Sequence, residues 1–279
     1  MNLPHPDYNS PAELKTFLDA NNMAMQKKFG QNFLIDDNVV NKIARIACNP
    51  ELSTIEIGPG LGALSEHLLE YSKDVTAYEI DRDMYNILQD EFKDEDRFRV
   101  ILGDFLDVDL SVYENQRLNV ASNLPYYVTT PILFKLFNSK IDFNKITVMV
   151  QKEVCERFVA KVNTEDYNSL SIIVQYLFEV KMEMSVKKTC FYPSPKVDSA
   201  IVSFTPKRKR DFEYEKGLFE FIDKCFTKRR KTLNNNLKDF LSTDEILNLY
   251  NKCGLKDNVR AQELELNDFI GMYEVLRCD

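Results

Sequence analysis

The four residues Asn123-Leu124-Pro125-Tyr126 combine groups that could act on an aromatic amine such as adenine N6. Such an amine is a poor nucleophile because its lone pair is delocalised into the ring. The Asn123 side-chain oxygen and the Leu124 carbonyl could accept its two N–H bonds and leave a lone pair aimed at an electrophile. Pro125 would stiffen the turn, and Tyr126 could stack on the base. The same letters also describe an Asn-x-Pro turn with a core tyrosine, so the motif alone leaves both interpretations open.

A glycine-rich segment, EIGPGLG at 56–62, follows the first predicted strand and opens a helix. Doubly wound folds bring a nucleotide cofactor close to the backbone at this place, and glycines leave room for it. The pattern is not specific, because Gly58, Gly60 and Ala63 also fit the dinucleotide fingerprint G-x-G-x-x-G/A. Glu79 also lies near the distance expected for the ribose-binding acid of that fingerprint. NAD therefore stays open at this point, as does a plain glycine turn.

Polar residues end three successive predicted strands, namely Glu79, Asp104 and Asn123. The carboxyl ends of parallel strands face one crevice, so the three side chains are expected to meet there. Each residue alone is typical of a turn or a helix cap, but their shared register favours a binding site. In S-adenosylmethionine sites of this type, an acid after the second strand receives the ribose hydroxyls and one after the third reads the adenine amine. Glu79 and Asp104 suit those two roles.

Alternating strand and helix patterns must position these residues. The predicted strands are 53–57, 74–80, 98–104, 118–123 and 146–151. Their alternation with helical patterns indicates a parallel sheet with crossover helices, a Rossmann-like doubly wound α/β fold. After residue 205 the pattern changes to polar helices. We therefore expect a main domain over residues 1–205 and a small helical domain over 206–279 that begins with a PKRKR linker.

The charge distribution bears on a nucleic-acid partner. A formal net charge of -8 argues against one, because phosphate binding depends on Lys and Arg. Residues 181–231, however, contain 14 basic and 7 acidic residues, so basicity is concentrated there. The runs KRKR at 207–210 and KRRK at 228–231 are compatible with solvated faces and with nucleic-acid contact.

Composition argues against several other classes of function. The six cysteines are scattered without a C-x-x-C pair, which is typical of reduced thiols rather than of disulfides or a zinc site. With only two histidines, neither a metal site nor His-based catalysis is expected. No apolar run approaches the roughly 20 residues that cross a bilayer, and the N-terminus lacks a signal-peptide pattern. We expect a cytoplasmic protein without a membrane or metal partner.

Several motifs, taken in order, resemble the family of ribosomal RNA adenine N6,N6-dimethyltransferases, and within it the bacterial small-subunit branch linked to kasugamycin resistance. The resemblance spans about residues 27–270 and is far more specific than the glycine loop. The motifs are KKFGQNFLID (27–36), EIGPGLGALSEHLL (56–69), YEID (78–81), GDFL (103–106), SNLPYYVTTPILFKL (122–136), MVQKEVCERFVA (149–160), FYPSPKVDSAIVSF (191–204) and FTKRRKTLNNNL (226–237).

The resemblance implies S-adenosylmethionine as the cofactor. Its contacts would be Asn32 and Leu34 from an N-terminal lid, with Gly58, Glu79, Asp104 and Asn123. The target base would meet Asn123, Leu124, Pro125 and Tyr126, with Phe191 as a second stacking ring. Without the resemblance Phe191 would be assigned to the core, since aromatics before a Pro-rich turn usually pack inward. Tyr127 stands where bacterial relatives commonly carry Asn, which leaves its role open, and residues 1–26 receive no function.

The implied function is dimethylation of the N6 amine of two adjacent adenosines in small-subunit (16S) ribosomal RNA, within an immature 30S subunit and by a monomer. The residues expected to contact RNA are Lys187, Lys188, Lys196, Lys228, Arg229, Arg230 and Lys231. One alternative is a large-subunit rRNA adenine N6-methyltransferase that confers macrolide resistance, which shares QNFL and the Asn-x-Pro-Tyr site. Another is a ribosome-assembly factor that binds RNA without methylating it. Two motifs, FYPSPKVDS and FTKRRKTLNNNL, favour the small-subunit enzyme over the large-subunit one. The intact motifs EIGPG and NLPY favour an active methyltransferase over an RNA-binding factor without activity.

Overall fold

The computed structural model describes residues 10–20 and 32–278. Its chain divides into two compact units, the first formed by Met1–Cys155 and Lys181–Pro206 and the second by Glu156–Val180 and Lys207–Asp279. The domains predicted from the sequence were residues 1–205 and 206–279. The two units differ from them in one segment, because residues 156–180 group with the C-terminal part. The physical reason is a helix within that segment, Ser169–Leu177, which packs against the helix Phe212–Cys225 of the C-terminal part.

A central sheet with the strand order β4-β3-β2-β5-β6-β9-β7 organises the first unit. β2 to β6 form its parallel part, and β9 runs antiparallel to β6. All five strands predicted from the sequence are present, and the doubly wound fold class is confirmed. The bounds are β2 (Thr54–Ile57), β3 (Val75–Glu79), β4 (Phe98–Leu102), β5 (Arg117–Asn123), β6 (Asp142–Gln151), β7 (Phe178–Val186) and β9 (Ser199–Pro206).

Apolar helix faces cover this sheet. Asp36 caps helix α2 (Asp37–Ala47), because its carboxylate accepts a hydrogen bond from the Val39 N–H at 3.3 Å. α2 buries Val40 and Ile43 in the core cluster that also contains residues of α3 (Ala63–Tyr71). The other α-helices that the structure describes before residue 160 are α1 (Pro11–Ala20), α4 (Arg82–Glu91), α5 (Thr129–Phe137) and α6 (Lys152–Phe158).

A two-stranded ladder lies apart from the central sheet. β1 (Phe33–Leu34) pairs antiparallel with β8 (Phe191–Tyr192), with Leu34 opposite Phe191. The sequence did not predict this pairing, because two-residue strands are too short to show a period. It brings the FLID and FYPSP motifs together, although these are separated by more than 150 residues.

The second unit is helical, as the pattern after residue 205 predicts. Its core contains Leu218, Leu249 and Phe269, which are fully buried. Ser242 and Glu245 form a capping box at the start of α10, and Gly254 ends that helix at a φ of 63°. The helices are α7 (Ser169–Leu177), α8 (Phe212–Cys225), α9 (Leu233–Leu237), α10 (Thr243–Cys253) and α11 (Leu266–Cys278).

Two further observations concern residues 10–20 and 32–278 only. No helix in these ranges is long and apolar enough to cross a membrane. The same ranges hold no group of three or more His, Cys, Asp or Glu side chains that could bind a metal ion.

Candidate active site

A crevice in the first unit opens at the carboxyl ends of β2, β3 and β5, and it contains about 980 Å³ of space including its mouth. The residues predicted from the sequence line it, with the exception of Asp104. They are Asn32, Leu34, Gly58, Glu79, Asn123, Leu124, Pro125, Tyr126 and Phe191.

The glycine loop gives this crevice its open floor. Gly58 and Gly60 have φ angles of 67° and 61°, a region that favours glycine. A Cβ atom built on Gly58 would meet no atom within 4 Å, so the backbone there borders open space. The N–H of Gly60 donates to Oε2 of Glu79 at 3.0 Å, which fixes the loop against β3.

Two buried carboxyl groups stand beside the loop. Glu79 also accepts the Asp81 N–H at 2.8 Å, and burial raises its pKa to about 7 against the opposing effect of these hydrogen bonds. Glu56 accepts a hydrogen bond from the Ser65 hydroxyl at 2.6 Å, and burial, together with the charge of Glu79, raises its pKa to about 8. Glu56 was not among the predicted site residues. The available signal was an acid inside the otherwise apolar strand TIEI.

These groups fit S-adenosylmethionine. Its ribose hydroxyls and its positive charges suit two buried carboxyl groups that form no ion pair within residues 10–20 and 32–278. Its adenine suits the apolar wall that includes Leu34 and Ile80. Glu79 and Glu56 are the residues of this chain that would hold the polar parts of the cofactor. The fit is therefore one of donor chemistry and of space along the Gly58 loop.

Asp104 follows the end of β4, and it is not among the residues that line the crevice. Its carboxylate accepts the Leu106 N–H at 2.8 Å and caps the short 3-10 helix Phe105–Asp107. The cap uses one carboxylate oxygen, Oδ1, and the contact of Asp104 with the cofactor adenine stays a prediction. Its charge nevertheless acts on Tyr127, whose hydroxyl pKa is raised by burial first and then by the charges of Asp104 and Glu79. Tyr127 itself lines the crevice and is 56% exposed.

The turn after β5 presents two open acceptors. The Pro125 carbonyl accepts the Val128 N–H and the Thr129 hydroxyl, both at 3.2 Å, which closes the turn. The Asn123 amide nitrogen donates to the Asn32 carbonyl at 3.4 Å, so that its Oδ1 points elsewhere. Within residues 10–20 and 32–278, neither Oδ1 of Asn123 nor the carbonyl of Leu124 accepts a hydrogen bond. Both residues line the crevice, although Leu124 is only 1% exposed.

Two aromatic residues, Tyr126 and Phe191, line the same crevice as these acceptors. Tyr126 is half-buried, and burial raises the pKa of its hydroxyl. Phe191 is 3% exposed and belongs to the core cluster around Ile43 while it also lines the crevice. Phe191 is therefore a core residue that also borders the crevice, and its stacking on a target base stays a prediction.

The basic residues predicted to contact RNA are all exposed. In the first unit these are Lys187, Lys188 and Lys196, and in the second unit Lys228, Arg229, Arg230 and Lys231. Lys228 pairs with Asp239 at 2.7 Å, and Arg229 donates to the Glu165 carbonyl. No hydrogen bond or ion pair of the Arg230 and Lys231 side chains occurs among the described residues.

The KRKR run at 207–210 is largely used inside the second unit. Lys207 donates to the Gln175 carbonyl at 2.9 Å, and Arg208 lies over the Tyr176 ring at 4.1 Å. Arg210 donates to the buried Glu215 at 2.6 Å. Three of the four cations in this run therefore already have partners within the protein. The run is for this reason a weaker candidate for RNA contact than the 228–231 run.

The fold, the glycine loop with its buried acids and the open acceptor pair together define a Rossmann-like methyltransferase. The chain belongs to the ribosomal RNA adenine dimethylase family, which matches residues 22–277. This membership confirms the predicted enzyme class, an S-adenosylmethionine-dependent rRNA adenine dimethyltransferase, and it removes the NAD alternative.

Individual relatives agree with this assignment. The chain is similar to the ribosomal RNA small subunit methyltransferase A of Mycoplasmopsis pulmonis, with 42% identity over 91% of this chain and 100% of the relative. It is similar in structure to a dimethyladenosine transferase from Plasmodium falciparum, with a TM-score of 0.70, 26% identity and coverage of 85% of this chain and 94% of the other. The 23S rRNA methyltransferase ErmE shares the fold, with a TM-score of 0.70, 23% identity and coverage of 88% and 100%.

Proposed function

We propose that this protein dimethylates the N6 amine of two adjacent adenosines in small-subunit (16S) ribosomal RNA, as a monomer that acts on an immature small subunit. The observation that supports the proposal is a pair of acceptors without hydrogen bonds among the described residues, Asn123 Oδ1 and the Leu124 carbonyl, in a crevice that Tyr126 and Phe191 also line. Relatives named ribosomal RNA small subunit methyltransferase A, at about 40% identity over nearly their whole length, support the small-subunit substrate.

The chemistry of the site follows from these groups. When bound, S-adenosylmethionine supplies a methyl group on a positively charged sulfur. Asn123 and Leu124 accept the two N–H bonds of N6 and thereby orient its lone pair, while Tyr126 and Phe191 hold the base plane. Catalysis is then chiefly positioning, and no covalent intermediate with the protein is required. The proton of N6 leaves to water, and the monomethylated base binds again for the second transfer.

The target base must enter the crevice, and the basic residues would hold the RNA around it while it does so. An adenine must leave its stack to enter the crevice, which costs a few kcal/mol unless it lies in a loop or a distorted helix. Exposed cations, among them Lys187 and Lys188 in the first unit and Arg230 and Lys231 in the second, are suited to hold the surrounding phosphates. We place this activity in the cytoplasm, where such subunits are assembled.

The variant Asn123→Ala tests the proposal, because it removes one acceptor and leaves the Gly58 loop and Glu79 in place. The rate of single-turnover methylation should fall by about a hundredfold, on the order of 3 kcal/mol, by analogy with oxyanion-hole deletions. Cofactor affinity and subunit affinity should change little. The surface variant Asn138→Ala is the matched control and should methylate normally. A near-normal rate in folded Asn123→Ala would refute the assigned role.

A further inference from the structure

The Tyr126 ring is anchored at its far end by a residue that the proposed mechanism does not use. Its hydroxyl lies 2.6 Å from the Oγ of Ser199, a side chain that is fully buried. The two residues are 73 positions apart, so this bond is a tertiary contact.

Ser199 is a fixed point in the fold. It is the first residue of β9 and pairs with Gln151, the last residue of β6. The preceding Asp198 is tied twice, because its carbonyl accepts the Lys152 N–H at 3.0 Å and its carboxylate accepts the Lys188 N–H at 2.9 Å. The backbone that carries the Ser199 hydroxyl is therefore held from both sides.

The sheet order explains why this anchor orients the ring. Tyr126 follows β5, and β6 lies between β5 and β9. The phenol therefore reaches across the carboxyl end of β6 before it meets Ser199. A tyrosine side chain has two main torsions, and a hydrogen bond at its hydroxyl restricts both when the partner is immobile.

We propose that Ser199 is a positioning residue, which holds the Tyr126 ring in the orientation that receives the target base. The inference rests on the proposed function, since it takes Tyr126 as a stacking surface. Ser199 acts through Tyr126 and does not touch the substrate. The segment 191–199 thus supplies one ring directly, through Phe191, and orients the other through Ser199.

The expected effect is on turnover rather than on binding. Loss of the hydroxyl pair should lower kcat about fivefold, the factor that corresponds to a hydrogen bond of about 1 kcal/mol. KM for the subunit should stay nearly constant, because many phosphate contacts hold the RNA and only one base meets the ring. A purely structural role would lower stability without this split between kcat and KM.

A double-mutant cycle tests the proposal with Ser199→Ala, Tyr126→Phe and the double variant on small subunits. Each single variant should lose about fivefold in kcat, and the double variant should lose no more than either. Ser203→Ala is the matched control, since Ser203 is a buried serine of the same strand whose hydroxyl donates to Glu183 at 2.8 Å. This control should lose about as much stability as Ser199→Ala but keep the kcat of wild type.

Two results would overturn the inference alone. One is a kcat of Ser199→Ala equal to that of wild type while Tyr126→Ala is impaired. The other is an equal loss from Ser199→Ala in the wild-type and Tyr126→Phe backgrounds, which means that the two groups are not coupled. A normal kcat in Tyr126→Ala would overturn the stacking role of Tyr126 and the inference together.

Discussion

The carboxyl groups of Glu56 and Glu79 set the electrostatics of the cofactor crevice. They stand on the neighbouring strands β2 and β3, and burial raises their pKa values to about 8 and about 7. A buried carboxylate is costly until a ligand brings hydroxyl donors or positive charge to it. Ionisation of these two acids and binding of the cofactor should therefore be coupled.

The variant Glu79→Ala should weaken binding of S-adenosylmethionine by about tenfold or more, since hydrogen bonds to a charged group contribute about 1.5–3 kcal/mol. Binding to the ribosomal subunit should remain nearly intact. Calorimetric titration measures the first effect. Glu79→Gln keeps one acceptor oxygen for the Gly60 loop and should lose less affinity, while the exposed Glu51→Ala serves as control. Unchanged affinity in folded Glu79→Ala would remove this acid from the site.

The raised pKa of Glu56 predicts a pH-dependent stability of the ligand-free protein. An acid whose pKa is higher in the folded than in the unfolded chain binds its proton more tightly when folded, so stability falls as pH rises towards the folded value. Between about pH 5 and about pH 8, wild type should lose up to about 1.4 kcal/mol per pH unit relative to Glu56→Gln. Urea unfolding across that range measures the difference. Parallel curves for the two proteins would show that Glu56 is ionised throughout.

Several of the predicted residues line the crevice because the ends of strands can be recognised in the sequence. Glu79 and Asn123 end predicted strands, and both line the crevice. Asp104 also ends a predicted strand, but its carboxylate caps the following turn and it does not line the crevice, so its contact with the cofactor stays a prediction. Ser199 could not be predicted, because its role depends on a partner 73 residues away.

At the level of elements, the parallel core followed from the alternating pattern, whereas the antiparallel additions did not. β9 and the β1–β8 ladder complete the site, since they carry Ser199, Leu34 and Phe191. A two-residue strand has no period, and its pairing is decided by tertiary packing. The motifs FLID and FYPSP therefore indicated the enzyme family, although their pairing as two short strands could not be recognised in the sequence.

The segment between α8 and α9 carries the cations that we expect to bind phosphate. Neutralising Lys228, Arg229 and Arg230 together should weaken subunit binding and flatten its salt dependence. The contacts refine this expectation, because Lys228 and Arg229 already have partners within the chain. Arg230 and Lys231 should contribute more than Lys228 does.

The double variant Arg230→Gln/Lys231→Gln should therefore reduce the slope of log affinity against log salt by about two, one for each lost phosphate contact. Binding to subunits over a series of salt concentrations measures it. Lys161→Gln/Lys256→Gln, which also removes two exposed cations of the second unit, is the control for net charge. An unchanged slope would mean that this cluster is only a solvated surface.

For the molecule as a whole, the negative net charge disfavours RNA binding, whereas the local excess of cations in residues 181–231 favours it. A protein of net charge -8 is repelled by RNA on average, so its affinity must come from a limited set of exposed cations. Such a protein should bind poorly to RNA that does not match this set in shape. That dependence on shape agrees with a folded ribosomal subunit as the substrate rather than a short RNA strand.

The most direct test of the central claim is transfer of labelled methyl groups from S-adenosylmethionine to immature small subunits and, in parallel, to large subunits, with the modified nucleosides then mapped. The account predicts label in the small subunit only, as two methyl groups on the N6 atom of each of two adjacent adenosines. Label in the large subunit instead would identify the macrolide-resistance activity. Label in neither would leave an RNA-binding factor without methyltransferase activity, and either result would contradict the account.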